Sequence, residues 1–414
     1  MNEISSAAKS CRICESENLE QILDFKSMAL TGVFLQDGRN VPSEPLVLLR
    51  CKDCSLVQLG HSYSLKELYG ESYGYESHLN RGMVEHLQRK ARILEKKFLR
   101  NKVSIIVDIA ANDGTFLAGI EGLDHIKVGI DPLINLVSNY FPKNSVKIPE
   151  FFTKEIYWDN FDRPCHLVTS MSVLYDLENP QLFVSDIADI LDENGIWHFE
   201  QSYLPSMVET LSYDTICHEH LLYLSMHNIQ RLLANAGLQI LDASLNSTNG
   251  GSIAVTAIKS KSKVDPPPFV NFLLRKEVSE GYQSGVRMHQ FAKEADLHRI
   301  ELLRLLQELR AQGQQIVALG ASTKGNVLLQ WLEADESLIQ TIGDVNTRKF
   351  GRRTPGTNIP IIDEKIIGEE ATEKTIALVL PWHFRDGIVS RSELIFSKGG
   401  SLLFPLPRIE IVAN

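Results

Sequence analysis

Apolar residues recur at helical spacing from Met83 to Leu99, in "MVEHLQRKARILEKKFL", and its Ala, Leu, Lys, Glu and Arg residues have good helix propensity. This stretch predicts a helix. The pattern then changes: "SIIVDIAANDGTFLAGI" opens on a continuous apolar run of buried-strand type, passes a turn of small residues, and predicts a helix just after Asn112, Asp113 and Gly114. A second strand follows in "IKVGIDP", and "CHLVTSMSVL" and "GIWHFEQSYL" read as strands with a helix in "PQLFVSDIADIL" between them. Such alternation implies a mostly parallel sheet covered on both faces. Two later β segments, "LQILDASL" and "SIAVTAIK", are joined by "NSTNGG" and fit an antiparallel edge pair.

"KSKSKVDPPPF" breaks the rhythm and marks a connection between domains. After a long helical stretch, roughly residues 285–311, another strand–turn–helix opens in "QQIVALGASTKGNVLLQWL". Strands are expected at "LIQTIGD", "TIALVLP" and "SLLFPLP". The expectation is therefore an α/β chain with a short-loop segment at residues 1–75, a central α/β domain at 76–262, and a second, smaller α/β domain at 263–414. Hydrophobic content of 43% and charged content of 23% are ordinary for a globular chain of 414 residues. A net charge of −10 argues against broad nucleic-acid or membrane-surface binding. No apolar run is long enough to span a bilayer, and "MNEISSAAKS" lacks the apolar core of a signal peptide, so a cytoplasmic protein is expected. The lack of heptads and of an exposed apolar repeat predicts a monomer.

Four of the six cysteines fall as Cys11, Cys14, Cys51 and Cys54, two C-x2-C pairs. Zn²⁺ prefers four thiolates in tetrahedral array, and each pair can deliver two from one turn. With no open coordination position such zinc would be structural. Four free thiols or a redox pair is the alternative.

In "VDIAANDGTFL" a strand ends at Asp108, and about twenty residues later Asp131 closes the next strand, placed to hold a ribose diol. The turn lacks the full G-x-G-x-x-G that a pyrophosphate needs, so its Asn and Asp suit S-adenosylmethionine better than a dinucleotide. "ALGASTKGN" offers Ser322, Thr323 and Lys324 between a strand and a helix, without Walker A spacing. Arg348, Lys349, Arg352 and Arg353 form a dense basic cluster soon after, which suits a sugar-nucleotide diphosphate or is a solvated loop. In "CHEHLLYLS", His218, Glu219 and His220 are adjacent, so their side chains diverge and cannot easily share one metal ion. A histidine oriented by a neighbour can instead serve as a general base.

Taken together, "YGESYGYESHLNRGMVEH", "DIAANDGT", "YDTICHEHLLYLS", "NGGSIAV", "GASTKGN" and "GRRTPGTNIPI", with the four cysteines, resemble the sugar C-methyltransferases that act on nucleotide-linked 4-keto-6-deoxyhexoses. The resemblance spans nearly the whole chain. It implies a zinc-binding amino-terminal domain, a central class I methyltransferase domain and a carboxy-terminal Rossmann-like domain that helps hold the nucleotide sugar, with dTDP or GDP as the nucleotide. By this likeness His220 is the base, Glu219 fixes its tautomer, and Tyr75, with Tyr73 as the other candidate, is the phenol of the site. Asp108, Ala110, Asn112, Asp113, Gly114, Asp131, Ser170 and Met171 would face the cofactor. Glu200, Ser322, Thr323, Lys324, Lys349, Arg352 and Arg353 would face the sugar nucleotide; Ser170, Met171 and Glu200 are placed by fold position alone, where a structural role fits equally. Two positions depart from the pattern: Cys217 where relatives commonly carry Tyr, and Ala110 where Gly is usual. An O- or N-methyltransferase and a NAD-dependent nucleotide-sugar enzyme are the competing readings.

Overall fold

The first predicted helix runs from Arg81 to Phe98, and the Asn80 side chain caps it by accepting from the Met83 amide. Met83, Leu87, Ala91 and Leu94 form its buried stripe. They pack with Ile106, Phe116, Leu117, Leu167 and Ile196 against one face of a large sheet. This is a computed structural model, and it describes residues 4–34, 41–64, 68, 76–99, 103–122, 124–137, 140–260 and 265–413. Tyr73 and Tyr75 lie outside the described residues.

The central sheet has seven strands, in the spatial order Leu238–Asn246, Ser252–Lys259, Leu191–Ser202, Cys165–Met171, Ile105–Ile109, Ile126–Ile130 and Val146–Ile148. The last five of these run parallel to one another. Ser252–Lys259 is antiparallel to both its neighbours, so it is an internal strand wedged beside Leu191–Ser202, and Leu238–Asn246 forms the edge on that side. One expectation fails here. Instead of an α-helix after Gly114 the chain makes a 3₁₀ turn at Leu117–Gly119. A Cβ on Gly119 would lie 2.6 Å from Gln88 Cα, so this turn is pressed onto the first helix, and Gly119 and Gly122 deny it the propensity to continue.

The carboxy-terminal sheet has six strands, ordered Ile361–Asp363, Ile342–Asp344, Gln315–Leu319, Thr375–Val379, Ser401–Phe404 and Glu410–Val412. The first five are parallel and the last is antiparallel. The long helix is Val286–Ala311.

At the amino terminus a four-stranded antiparallel sheet runs Leu222–Tyr223, Val57–Leu59, Ser43–Cys51 and Leu19–Ala29. Its outermost strand is thus supplied by "CHEHLLYLS", with Leu222 opposite Gln58 and Tyr223 opposite Val57. The carboxy-terminal part is tied to the same region: the Gln330 amide exchanges two hydrogen bonds with the Ala29 backbone, at 2.8 and 3.1 Å, and Asn326 donates to Thr31 O at 2.7 Å. Among the described residues no helix is long and apolar enough to cross a membrane.

Candidate active site and zinc centre

The two cysteine pairs form twin knuckles. After each pair one residue takes a left-handed conformation, Glu15 at φ 61° and Ser55 at φ 63°, and its amide donates to the carbonyl of the first cysteine, Cys11 or Cys51. The knuckles face each other, with Cys11 and Cys54 sulfurs 3.4 Å apart, Cys14 and Cys51 3.6 Å apart, and all four within 4.8 Å. Zn–S bonds of about 2.3 Å in a tetrahedron set sulfurs roughly 3.8 Å apart, so this cluster fits Zn²⁺.

A cavity of about 700 Å³ opens where the three parts meet. Asp108, Ala110, Asn112, Asp131 and Met171 line one side, Glu219 and His220 another, and Ser322, Thr323, Lys324 and Lys349 a third. The turn at the strand ends is held tightly. Asp131 accepts from the Asn112 and Leu133 amides at 2.9 and 2.7 Å, which presents the strand end to the cavity. Burial, with Asp131 and Asp113 nearby, pushes the Asp108 carboxyl up to about 7 despite a bond from Thr169 at 2.7 Å, and burial also raises Asp131. Buried acids crowded in one turn favour a cationic ligand, and S-adenosylmethionine carries both a sulfonium and an ammonium.

Several expected residues lie off the cavity wall. Asp113 is fully buried and turned away: Oδ1 takes the Thr115 hydroxyl at 2.6 Å, and Oδ2 the His78 amide and ring at 2.8 and 2.9 Å. It shapes the turn. Gly114, at φ 83°, packs its backbone on Phe141, and Ser170 accepts from Trp197 Nε1 at 3.0 Å within the core. Glu200 is held by His86, Lys90 and Asn246 at 2.6, 2.7 and 2.9 Å, a network that fastens the first helix to the sheet. Of the expected phosphate cluster only Lys349 reaches the wall, because Arg352 donates to Phe34 O at 2.6 Å and Arg353 pairs with Glu336 at 3.0 Å.

The three residues of the His-Glu-His motif diverge. His218 is buried against the amino-terminal sheet, edge-on to Tyr63. Glu219 accepts from the Thr31 hydroxyl at 3.3 Å, and its carboxyl is raised by burial. A Cβ on Gly32 would come within 2.3 Å of Glu219 Oε1, so only glycine permits this approach. His220 is oriented by a group that sequence did not single out. Its Nδ1 lies 2.8 Å from the Thr215 carbonyl. A carbonyl only accepts, so Nδ1 carries the proton and Nε2 keeps its lone pair. This replaces the expectation that Glu219 fixes the tautomer. Burial, aided by the Lys324 charge, lowers His220 to about 4, so the ring is neutral at physiological pH. Tyr175 packs edge-on against it, with ring centroids 4.5 Å apart.

Sequence reading missed Gly32, Tyr63, Tyr175, Asn249 and His383, all of which line the cavity. One signal was available for His383. It follows the end of the parallel strand Thr375–Val379, where ligand sites of α/β sheets lie.

A zinc-bearing chain with a methyltransferase-type sheet and a second α/β unit is the class this architecture defines. Family models match in the same order: "Putative zinc binding domain" at residues 11–69, "Methyltransferase domain" at 75–243 and "C-methyltransferase C-terminal domain" at 247–407. The three models together span most of the chain and, with the relative that follows, make it an S-adenosylmethionine-dependent C-methyltransferase. It is 24% identical over 418 residues to the C-methyltransferase NovU of Streptomyces niveus, covering 100% of this chain and 99% of that one. Among solved structures, the magnesium protoporphyrin IX methyltransferase ChlM of Synechocystis PCC 6803 with bound S-adenosylmethionine matches at 12% identity and a TM-score of 0.31, covering 43% of this chain and 80% of that one. The riboflavin-analogue dimethyltransferase RosA of Streptomyces davawensis matches at 16% identity and a TM-score of 0.33, covering 43% and 56%.

Proposed function

We propose that this C-methyltransferase acts, as a monomer, on C3 of a nucleotide-linked 4-keto-6-deoxyhexose, with His220 as the base. The observation that carries the reading is the tautomer of His220. A neutral imidazole with its proton held at Nδ1 by Thr215 offers Nε2 as a base, in a cavity shared with the cofactor turn. Carbon methylation needs a carbanion equivalent, and a ketone at C4 acidifies the hydrogens on its neighbours because the charge can move onto oxygen. Nε2 takes the C3 proton. Asp131, Asn112 and Ala110 would hold the cofactor beside it. S-adenosylmethionine, when bound there, supplies an electrophilic methyl. Glu219, anchored by Thr31 and Gly32, lines the wall beside His220 and bounds the sugar pocket.

The test is to incubate wild type and His220→Asn with dTDP- and GDP-linked 4-keto-6-deoxyhexoses in D2O, with and without S-adenosylmethionine, and to follow hydrogen exchange and product mass. C3 exchange and C-methylation in wild type, both lost in the variant with cofactor affinity retained, is the expected result. Exchange at C5 would move the methylated carbon, and a variant that still exchanges would remove His220 as the base.

A further inference from the structure

Lys324 occupies the second position of the helix Thr323–Trp331, where an ammonium opposes the positive end of the helix dipole. Its side chain is half-buried, and burial lowers its pKa while Asp214 partly offsets the shift through space. What surface it keeps faces the cavity, which it lines together with His220, Glu219 and His383. Its Nζ donates to Asn249 O at 2.9 Å, which occupies one of three N–H donors. Asp214 Oδ2 accepts from Trp382 Nε1 at 2.8 Å. A half-buried lysine held against a dipole gains from an anion that comes to it.

That anion could be a phosphate or an oxygen that becomes charged during reaction. The surrounding cations favour the second. Lys349 donates to Ala321 O at 2.6 Å and faces Asp344 at 3.6 Å, Arg348 pairs with Glu76 at 2.6 Å, and Arg352 and Arg353 are engaged as described. A diphosphate is ordinarily met by several donors, whereas one ammonium matches one developing negative charge. Position points the same way. The site of a Cβ on Gly32 lies 2.3 Å from Glu219 Oε1 and 3.6 Å from Thr323 Oγ1, so the residues preceding His220 and Lys324 meet across one glycine. Burial, with the Lys324 charge adding to it, lowers the pKa of both the His220 and His383 rings, so neither competes with Lys324 for an anion.

We propose that Lys324 is a catalytic residue: its ammonium donates to the C4 oxygen of the keto sugar and holds the enolate charge while His220 removes the neighbouring proton. This rests on the enolate reading above. In the step the carbon–hydrogen pair becomes the carbon–carbon π bond, the carbonyl π pair moves onto oxygen, the proton goes to His220 Nε2, and Lys324 keeps its own proton. The carboxy-terminal domain thus contributes to the chemistry as well as to holding the substrate.

The test uses full-length wild type, Lys324→Met, Lys324→Gln and Lys324→Arg, with S-adenosylhomocysteine present and the dTDP- or GDP-linked 4-keto-6-deoxyhexose that wild type exchanges. Exchange in D2O is read at saturating sugar, and binding of the free nucleoside diphosphate is read by calorimetry. Loss of one preorganised oxyanion donor predicts a fall in saturated exchange of about 10²- to 10³-fold in Lys324→Met, with partial recovery in Lys324→Arg and unchanged nucleotide affinity. Lys324→Gln, which can still donate to Asn249, carries the comparison should Lys324→Met fail to fold. Unchanged saturated exchange with weakened nucleotide binding would make Lys324 a phosphate ligand and overturn the proposal. If wild type itself exchanges no hydrogen next to C4, it is the enolate reading that fails, before any variant is compared.

Discussion

Ala110 holds a φ of 56° at the turn beside the cofactor wall. A Cβ in the left-handed region is crowded by its own carbonyl, so glycine suits this position and alanine here carries strain. Ala110→Gly should raise stability by about 1 kcal/mol, seen as a higher Tm. A fall in Tm would mean that the Ala110 methyl group makes packing contacts worth more than the strain. His220, the proposed base, shows the same scale. One carbonyl, from Thr215, decides which ring nitrogen can take a proton.

At the scale of elements, the ends of two adjacent parallel strands bring Asp108 and Asp131 into one turn. A cationic ligand favours the ionised form of Asp108, whose carboxyl is pushed up to about 7. Below that pH the acid is protonated and neutral, and above it the carboxylate attracts the ligand. Affinity for S-adenosylmethionine should therefore rise about tenfold between pH 6 and 8, with protons released on binding, and Asp108→Asn should flatten the dependence. Calorimetry in buffers of different ionisation enthalpy measures both. A flat profile in wild type would place the cofactor's charge away from Asp108.

At the scale of the whole molecule, the zinc knuckles and His220, the proposed base, are mechanically joined. Cys51 ends a strand of the sheet whose outer strand, Leu222–Tyr223, follows His220 by one residue, and the Leu59 amide donates to Leu221 O at 2.9 Å. Removing zinc, or replacing Cys11 by Ser, should expose the Leu59 and Tyr223 amides to hydrogen exchange and cut C-methylation by about tenfold or more. S-adenosylmethionine binding, built on the separate seven-stranded sheet, should survive better. Parallel loss of both would mean that zinc supports the entire fold.

Much of this was legible in the chain itself. Cysteine spacing, the switch from helical to strand periodicity at Ile105, and the small-residue turns at both strand ends are local patterns, and local patterns follow from backbone geometry and ligand chemistry acting over a few residues. The helix expected after Gly114 failed because its fate depended on contact with Gln88, a distant residue. Asp113 and Glu200 looked like site residues by position, yet partners far along the chain, His78 for one and His86, Lys90 and Asn246 for the other, turned them into fastenings. The residue types and their spacing specified a zinc knuckle, a cofactor turn and a histidine beside a carboxylate. Tertiary structure alone decided that Thr215 orients that histidine, that the motif's strand joins the zinc-bearing sheet, and that Lys324 shares its cavity wall. Side-chain partners and depth are set by long-range packing, and no local period records them.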